Sequence, residues 1–182
     1  MEKKLYTIAV YSENNVGLLN QVAIIFTRRM LNIESLTVSA SAIEGIHKFT
    51  ITTECTEDMV KKVVKQIERK IDVLKAYYYT DDQIIYQEIA LYKVKAESVL
   101  DSDEVEKLIR KHNARILEIS RIFVAIEKTG HYEELMHLYD ELKPYGVLQF
   151  VRSGRVAVTK SRIEKLEEFL KQIDAKYGEV AV

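Results

Sequence analysis

Apolar positions change period several times along the chain, and each change marks an element. Leu5 to Tyr11 is rich in β-branched and aromatic residues and predicts a strand, bounded by the polar Ser12 to Asn15 cluster. From Gly17 the spacing becomes three and four, so that Leu18, Leu19, Val22, Ile25, Phe26 and Met30 line one face of a helix. Ile33 to Ala42 and Ile46 to Glu54 predict two strands around Glu44-Gly45, where Gly45 supplies the positive φ of a tight hairpin. Thr56 is placed to cap a second helix, with Glu57 and Asp58 favourable in its first turn. Val60, Val63, Val64 and Ile67 are its buried stripe, and Val73 to Tyr79 closes the unit as a strand. The order is βαββαβ.

A comparable order follows. Gln87 to Lys95 predicts a strand, Asp101 to Glu104 opens a helix, and Val105, Leu108 and Ile109 mark its inner face. Arg115 to Ser120 and Arg121 to Glu127 predict strands, and His131 to Leu142 a helix with Leu135, Leu138 and Leu142 in register. Pro144 and Gly146 end that helix, and Val147 to Val151 supplies a last strand. Ser161 and Glu164 form a capping-box pattern for a terminal helix with the stripe Ile163, Leu166, Leu170 and Ile173. The split falls near residues 80–85. The expectation is an α+β protein of two tandem ferredoxin-like βαββαβ domains, residues 1–80 and 81–182.

The turn from Glu13 to Leu19 carries the candidate chemistry. A helix start leaves backbone N–H groups without intrahelical partners, and with the positive end of the dipole they attract a carboxylate. Gly17 lets a ligand approach the backbone closely. Asn14 offers both a carbonyl and an amide, and Asn32, just before the second strand, can answer an ammonium through its side-chain oxygen. This reading puts the helix start and the two amides near one another, which suits a small zwitterion with an aliphatic side chain. Asparagine and glycine also occupy turns for purely conformational reasons.

Composition narrows the classes. The chain has 182 residues, 47% of them hydrophobic, enough to bury a core of one or two domains. With 27 basic against 28 acidic residues, no strong field draws it to nucleic acid or an anionic membrane. No apolar run approaches the roughly 20 residues that span a bilayer, and the N-terminus lacks a signal-peptide pattern. The single cysteine, Cys55, excludes an internal disulfide framework, reads as a buried structural thiol and fits a reducing cytoplasm. His131 and His137 lack the i, i+4 spacing of a helical metal pair, and His47 and His112 stand alone, so no metal site is expected. Tyr77, Tyr78 and Tyr79 read as strand packing on two alternating faces. No Ser/His/Asp constellation or P-loop is visible, so no catalytic residue is assigned.

Residues 12–39, SENNVGLLNQVAIIFTRRMLNIESLTVS, resemble the N-terminal signature of the acetolactate synthase regulatory (small) subunits, and NIESLTV at residues 32–38 is its most diagnostic block. A second block, VRSGRVAVTK at residues 151–160, is similar to the arginine-serine-glycine segment near that family's C-terminus. The resemblance implies an ACT domain over residues 1–80, for amino-acid binding and homodimerisation, and a C-terminal domain contacting the catalytic (large) subunit. It implies a non-catalytic chain that activates the large subunit and confers feedback inhibition by branched-chain amino acids, valine favoured. The effector sites of that family lie between two chains, the turn of one facing the asparagine of its neighbour. Carried over, Asn14, Gly17 and Asn32 are the effector-site candidates, flanked by Leu18 and Ile33. Thiamine diphosphate, Mg and FAD are expected in the catalytic partner and none of them in this chain. A free-standing ACT-type sensor acting on another protein or on transcription is the alternative.

Two departures bear on the turn. The family usually has proline where this chain has Val16, which removes a φ constraint of about −65°. It commonly has glycine where this chain has Met30, so a positive φ becomes costly there and the local path is expected to differ.

Overall fold

The computed structural model describes residues 2–100, 103–161, 165–166 and 168–171. The described chain forms two compact units. One holds residues up to Ile85 together with those from Ala157 onward, and the other is Tyr86–Val156. The chain thus passes between units twice, where the sequence reading placed a single boundary.

In the first unit, β1 (Lys4–Glu13), α1 (Leu18–Thr27), β2 (Ser35–Ala40), β3 (Ile46–Cys55), α2 (Glu57–Ile67) and β4 (Val73–Tyr79) follow one another. The sheet order is β2-β3-β1-β4, and β1 runs antiparallel to both β3 and β4. In the second unit, β5 (Ile84–Lys95) is followed by α3 (Ala96–Leu100), α4 (Asp103–Lys111), β6 (Arg115–Ile119), β7 (Phe123–Gly130), α5 (Tyr132–Leu142) and β8 (Val147–Arg152). Four strands there run in the order β6-β7-β5-β8, which repeats the first arrangement strand for strand. Both are ferredoxin-like, so the α+β fold is that of tandem βαββαβ units, the first an ACT domain.

Strand alternation sorts β1 cleanly. Tyr6, Ile8 and Val10 join Val22, Phe26, Val60, Val63 and Ile67 in a core between the sheet and its two helices. Thr7 and Ala9 point the other way, yet they too are buried. Their cover is a ninth strand, β9 (Val156–Thr159), whose Ala157, Val158 and Thr159 share a small cavity with Thr7, Ala9, Tyr11, Lys48 and Thr50. The Lys48 ammonium donates to the Ala157 carbonyl at 2.8 Å. Helical residues 165–166 and 168–171 follow. There the Tyr77 hydroxyl donates to the Lys165 carbonyl at 3.2 Å, and Leu166 is buried. The second unit has its own core of Tyr92, Val94, Val105, Ile109, Val124, Ile126, Leu135, Leu138 and Leu142. Within it the Tyr92 hydroxyl donates to the Leu135 carbonyl at 2.8 Å, and burial raises its pKa well above the usual phenol value.

Several expectations change. Leu19 and Met30 lie on the solvent side of the first helix and its exit, 44% and 92% exposed, instead of joining its stripe. Thr56 stands at the α2 start, but its side chain makes no capping hydrogen bond; its carbonyl accepts from Val60. Gly45 does take a positive φ, 76°. Where the split was expected there is a short 3-10 turn, Asp81–Gln83, and β5 starts directly after it at Ile84 rather than at Gln87. The strand Val147–Val151 is not the last, since β9 follows it. Of the helix expected to open at Asp101, α4 covers Asp103 onward, Asp101 lies outside the described residues, and a short helix, α3, precedes it. Of the terminal stripe, Ile163 and Ile173 lie outside the described residues, as does Glu164 of the capping box.

Candidate functional site

The turn after β1 is braced from below. Glu13 N–H donates to the Asp72 carbonyl at 3.0 Å, and the Asn15 amide donates to the Asp72 carboxylate at 2.7 Å. Asn15 is thereby occupied, while its neighbour Asn14 projects from an exposed position. Gly17 is the α1 cap residue with φ 88°, a left-handed conformation that side chains resist, and a Cβ built there would meet nothing within 4 Å. Glycine supplies no capping oxygen, and the first turn of α1 carries no acidic residue. Leu18 N–H donates to the Asn15 carbonyl at 3.3 Å, which leaves the following N–H groups of the first turn and the dipole to an external anion. The start of α2 is different: Glu57 and Asp58 occupy its first turn, and Glu57 pairs with Lys61 at 2.6 Å.

Leu18 is fully buried and anchors the turn from inside. Asn32 is exposed, and its carbonyl accepts from the buried Thr53 hydroxyl at 2.7 Å. Ile33 is half-buried against the core. The two asparagines do not converge within one chain. Ser35 of β2 is level with Thr52 of β3 and so with Thr7 of β1, whereas Ala40 is level with His47 and Ser12. Asn32 precedes the first of these levels and Asn14 follows the second, so they extend from opposite ends of the sheet, at least the six residues Thr7–Ser12 apart, about 17 Å or more along the strands. This corrects the expectation that the helix start and both amides lie together.

Met30 adopts the positive φ that was expected to be avoided, 54°. Leu31 N–H donates to the Phe26 carbonyl and Met30 N–H to the Thr27 carbonyl, both at 3.0 Å, which is the Schellman closure of a helix end. The path into Asn32 is preserved with a strained residue in it. Val16 is wholly exposed.

The segment from Arg152 to Arg155 acts as a clamp within the second unit. The Arg152 guanidinium lies 2.5 Å from Glu88 and the Arg155 guanidinium 3.8 Å from it, with Glu88 and Arg155 both buried. Arg155 stacks over Tyr86 at 3.8 Å, Tyr86 stacks on His131 at 4.2 Å, and Arg152 lies over Tyr132 at 4.5 Å. Cys55 is buried, and burial raises its thiol pKa, so it is not a poised nucleophile. His112 does not stand alone: it meets His137 and Glu141 of α5. The i, i+4 pair of His137 and Glu141 was readable in the sequence, but His112 comes from another element. Among the described residues no helix is long and apolar enough to cross a membrane.

Comparison with known proteins places this geometry. Residues 8–75 match a model described as the small-subunit-like ACT domain of AHAS, and residues 87–161 match one for the small subunit of acetolactate synthase. The acetolactate synthase small subunit of Bacillus subtilis is 31% identical over 164 residues, spanning 90% of this chain and 94% of that protein. The chain belongs to the acetolactate synthase small-subunit family. Another member, the small subunit of Mycobacterium leprae, is 33% identical over 155 residues, which are 85% of this chain and 91% of that one. The crystal structure of the acetolactate synthase small subunit of Thermotoga maritima superposes with a TM-score of 0.79 at 25% identity, covering 88% of this chain and 99% of that one. As a member of this small-subunit family, the chain is a regulatory subunit, which implies a catalytic large subunit as partner.

Proposed function

We propose that the chain activates its catalytic acetolactate synthase subunit and makes it subject to feedback inhibition by a branched-chain amino acid, valine foremost. The observation that carries this reading is the separation of Asn14 and Asn32 at opposite ends of the first sheet, beside a helix start left open to an anion. One chain cannot close around a small amino acid with both amides. Two chains related by a two-fold beside the edge strand β2 would set one copy's turn against the other's Asn32, giving two equal sites. Exposed apolar residues on α1 and β2, Leu19, Ile24 and Val38, support burial of that edge.

In each site the helix start and Gly17 hold the effector carboxylate, Asn14 and Asn32 meet its polar ends, and Leu18 and Ile33 flank its side chain. Binding across the interface favours one arrangement of the pair over another, and coupling of about 1–3 kcal/mol suffices to change activity several-fold. The first unit senses and dimerises, and the second contacts the large subunit. That partner carries thiamine diphosphate, Mg and FAD and condenses two pyruvates to 2-acetolactate and carbon dioxide in the cytoplasm.

The deciding experiment measures acetolactate formation by the cognate catalytic subunit with and without this chain, then titrates valine. A several-fold rise followed by valine inhibition is the expected result. An unchanged rate would instead favour a free-standing amino-acid sensor.

A further inference from the structure

Three metal-ligating side chains meet where the end of α4 passes α5. His112 Nε2 lies 2.6 Å from Glu141 Oε2, and His137 Nε2 lies 3.4 Å from Glu141 Oε1. One ligand atom from each of the three falls within 4.8 Å of the other two. We propose that His112, His137 and Glu141 bind one divalent late-transition-metal ion, of the class of zinc, nickel or cobalt.

The three groups are held for it by the fold. His137 and Glu141 stand at i, i+4 on one face of α5. His112 follows the last residue of α4; its N–H donates to the Leu108 carbonyl at 3.0 Å, and its own carbonyl accepts from the Lys128 ammonium at 2.8 Å. The next residue, Asn113, takes φ 50° and closes the helix. The His112 side chain is 8% exposed and that of His137 is 61% exposed, so the site has a fixed floor and an open rim.

Metal bonds of about 2.0–2.1 Å in a tetrahedral set put donor atoms roughly 3.3 Å apart. The separations here bracket that value, and the exposed His137 ring has the freedom to close the widest gap. Two imidazoles with one carboxylate suit late transition metals, whereas magnesium and calcium take oxygen ligands. Three protein ligands leave a position for water.

The Glu141 carboxylate is already oriented here, each oxygen lying 2.6 Å from a nitrogen, Oε1 from Lys111 and Oε2 from His112. Lys111 now lies 2.6 Å from that carboxylate and is 56% exposed, so an arriving ion can displace its ammonium into solvent. The bound ion would tie the end of α4 to α5, two helices that contribute to the second core. It would stabilise that unit in proportion to metal concentration. The inference is independent of the effector reading.

The test uses the full chain without a histidine tag, stripped with EDTA and titrated with zinc, nickel, cobalt or magnesium chloride by calorimetry, with melting followed in parallel. The expected result is one zinc or nickel ion per chain, a higher melting temperature with metal, and no response to magnesium. His137→Gln should lower zinc affinity tenfold or more while leaving the metal-free melting temperature unchanged, and His112→Gln should also weaken binding. Should His112→Gln fail to fold, His137→Gln decides alone. Absence of saturable binding, or zinc affinity unchanged in His137→Gln, overturns the assignment.

Discussion

Among the described residues, the buried polar side chains of the first unit are Thr7, Ser12, Thr50, Thr52 and Thr53, all neutral hydroxyls; those of the second are Glu88, Lys128 and Arg155, all charged. The strand orders are the same. A buried hydroxyl needs one modest partner, whereas a buried charge needs a counter-charge and good geometry. The helix starts differ as well. Four residues, Asn14 to the left-handed Gly17, separate β1 from α1, and the first turn of α1 has no acid. In the second unit β5 runs directly into α3, and α4 opens with Asp103, Glu104 and Glu106. An anion would be attracted to the first of these starts and repelled by the second. One topology thus carries two electrostatic designs, with the acid-free helix start confined to the first unit.

The largest effect should come from removing the buried counter-charge. Glu88→Gln leaves Arg152 and Arg155 facing a neutral amide, and breaking a buried pair in this way costs about 3 kcal/mol or more. Thr53→Val in the first unit deletes only the hydrogen bond to the Asn32 carbonyl and should cost about 1 kcal/mol. Urea unfolding of the full-length variants measures both. Equal losses would mean that the charge clamp of the second unit contributes no more than a neutral hydrogen bond.

How much of this was legible in the sequence follows from the range of each interaction. The stripe Val60, Val63, Val64 and Ile67 was readable because its period is local, and all four are buried. Gly45 was readable because a tight hairpin calls for glycine at positive φ, whereas the positive φ of Gly17, read for its missing Cβ, emerged only with the structure. Leu19 and Met30 misled because they keep helical spacing at the margin of the apolar stripe. β9 was missed because four residues with alternating exposure become a strand only by pairing with β5, far upstream in the chain. The Arg152 to Arg155 segment was recognisable by resemblance, but its partner Glu88 lies 64 residues upstream of Arg152, and no pattern along the chain points to it. The same holds for His112 and Glu141, 29 residues apart. Asn14 and Asn32 were found as residue types, while their placement at opposite ends of the sheet emerged only with the strand register.

The next effect tests the helix-start contrast directly. Gly17→Asp would place a carboxylate where the effector's own is proposed to sit, and like-charge juxtaposition costs several kcal/mol. Inhibition by valine should disappear while activation of the catalytic subunit persists. Gly17→Asn carries a similar conformational strain without the charge, and asparagine tolerates the left-handed region comparatively well. Its valine response should be weakened rather than abolished. If Gly17→Asp stays as valine-sensitive as the unaltered chain, the first helix start is not the carboxylate site and the contrast between the two units loses its functional meaning.

The smallest effect lies at the other end of the same helices. α1 and α4 both close with Schellman hydrogen bonds: Leu31 N–H to Phe26 at 3.0 Å, and Ala114 N–H to Ile109 at 2.9 Å. The left-handed residue is Met30 in one and Asn113 in the other. An ordinary side chain in that conformation costs about 1–2 kcal/mol, and asparagine less. Glycine removes the strain but adds freedom to the unfolded chain, which returns about 0.4–1 kcal/mol. Met30→Gly should therefore stabilise the protein by about 0.5–1 kcal/mol, since a 92% exposed side chain gives up little packing. Asn113→Gly should be close to neutral. Urea midpoints of the two variants decide the matter, and a gain at Asn113 equal to that at Met30 would contradict it. The backbone already follows the path glycine would take, so Met30→Gly should leave the valine response unaltered. A changed response would place the Met30 side chain itself at the effector or at the second copy.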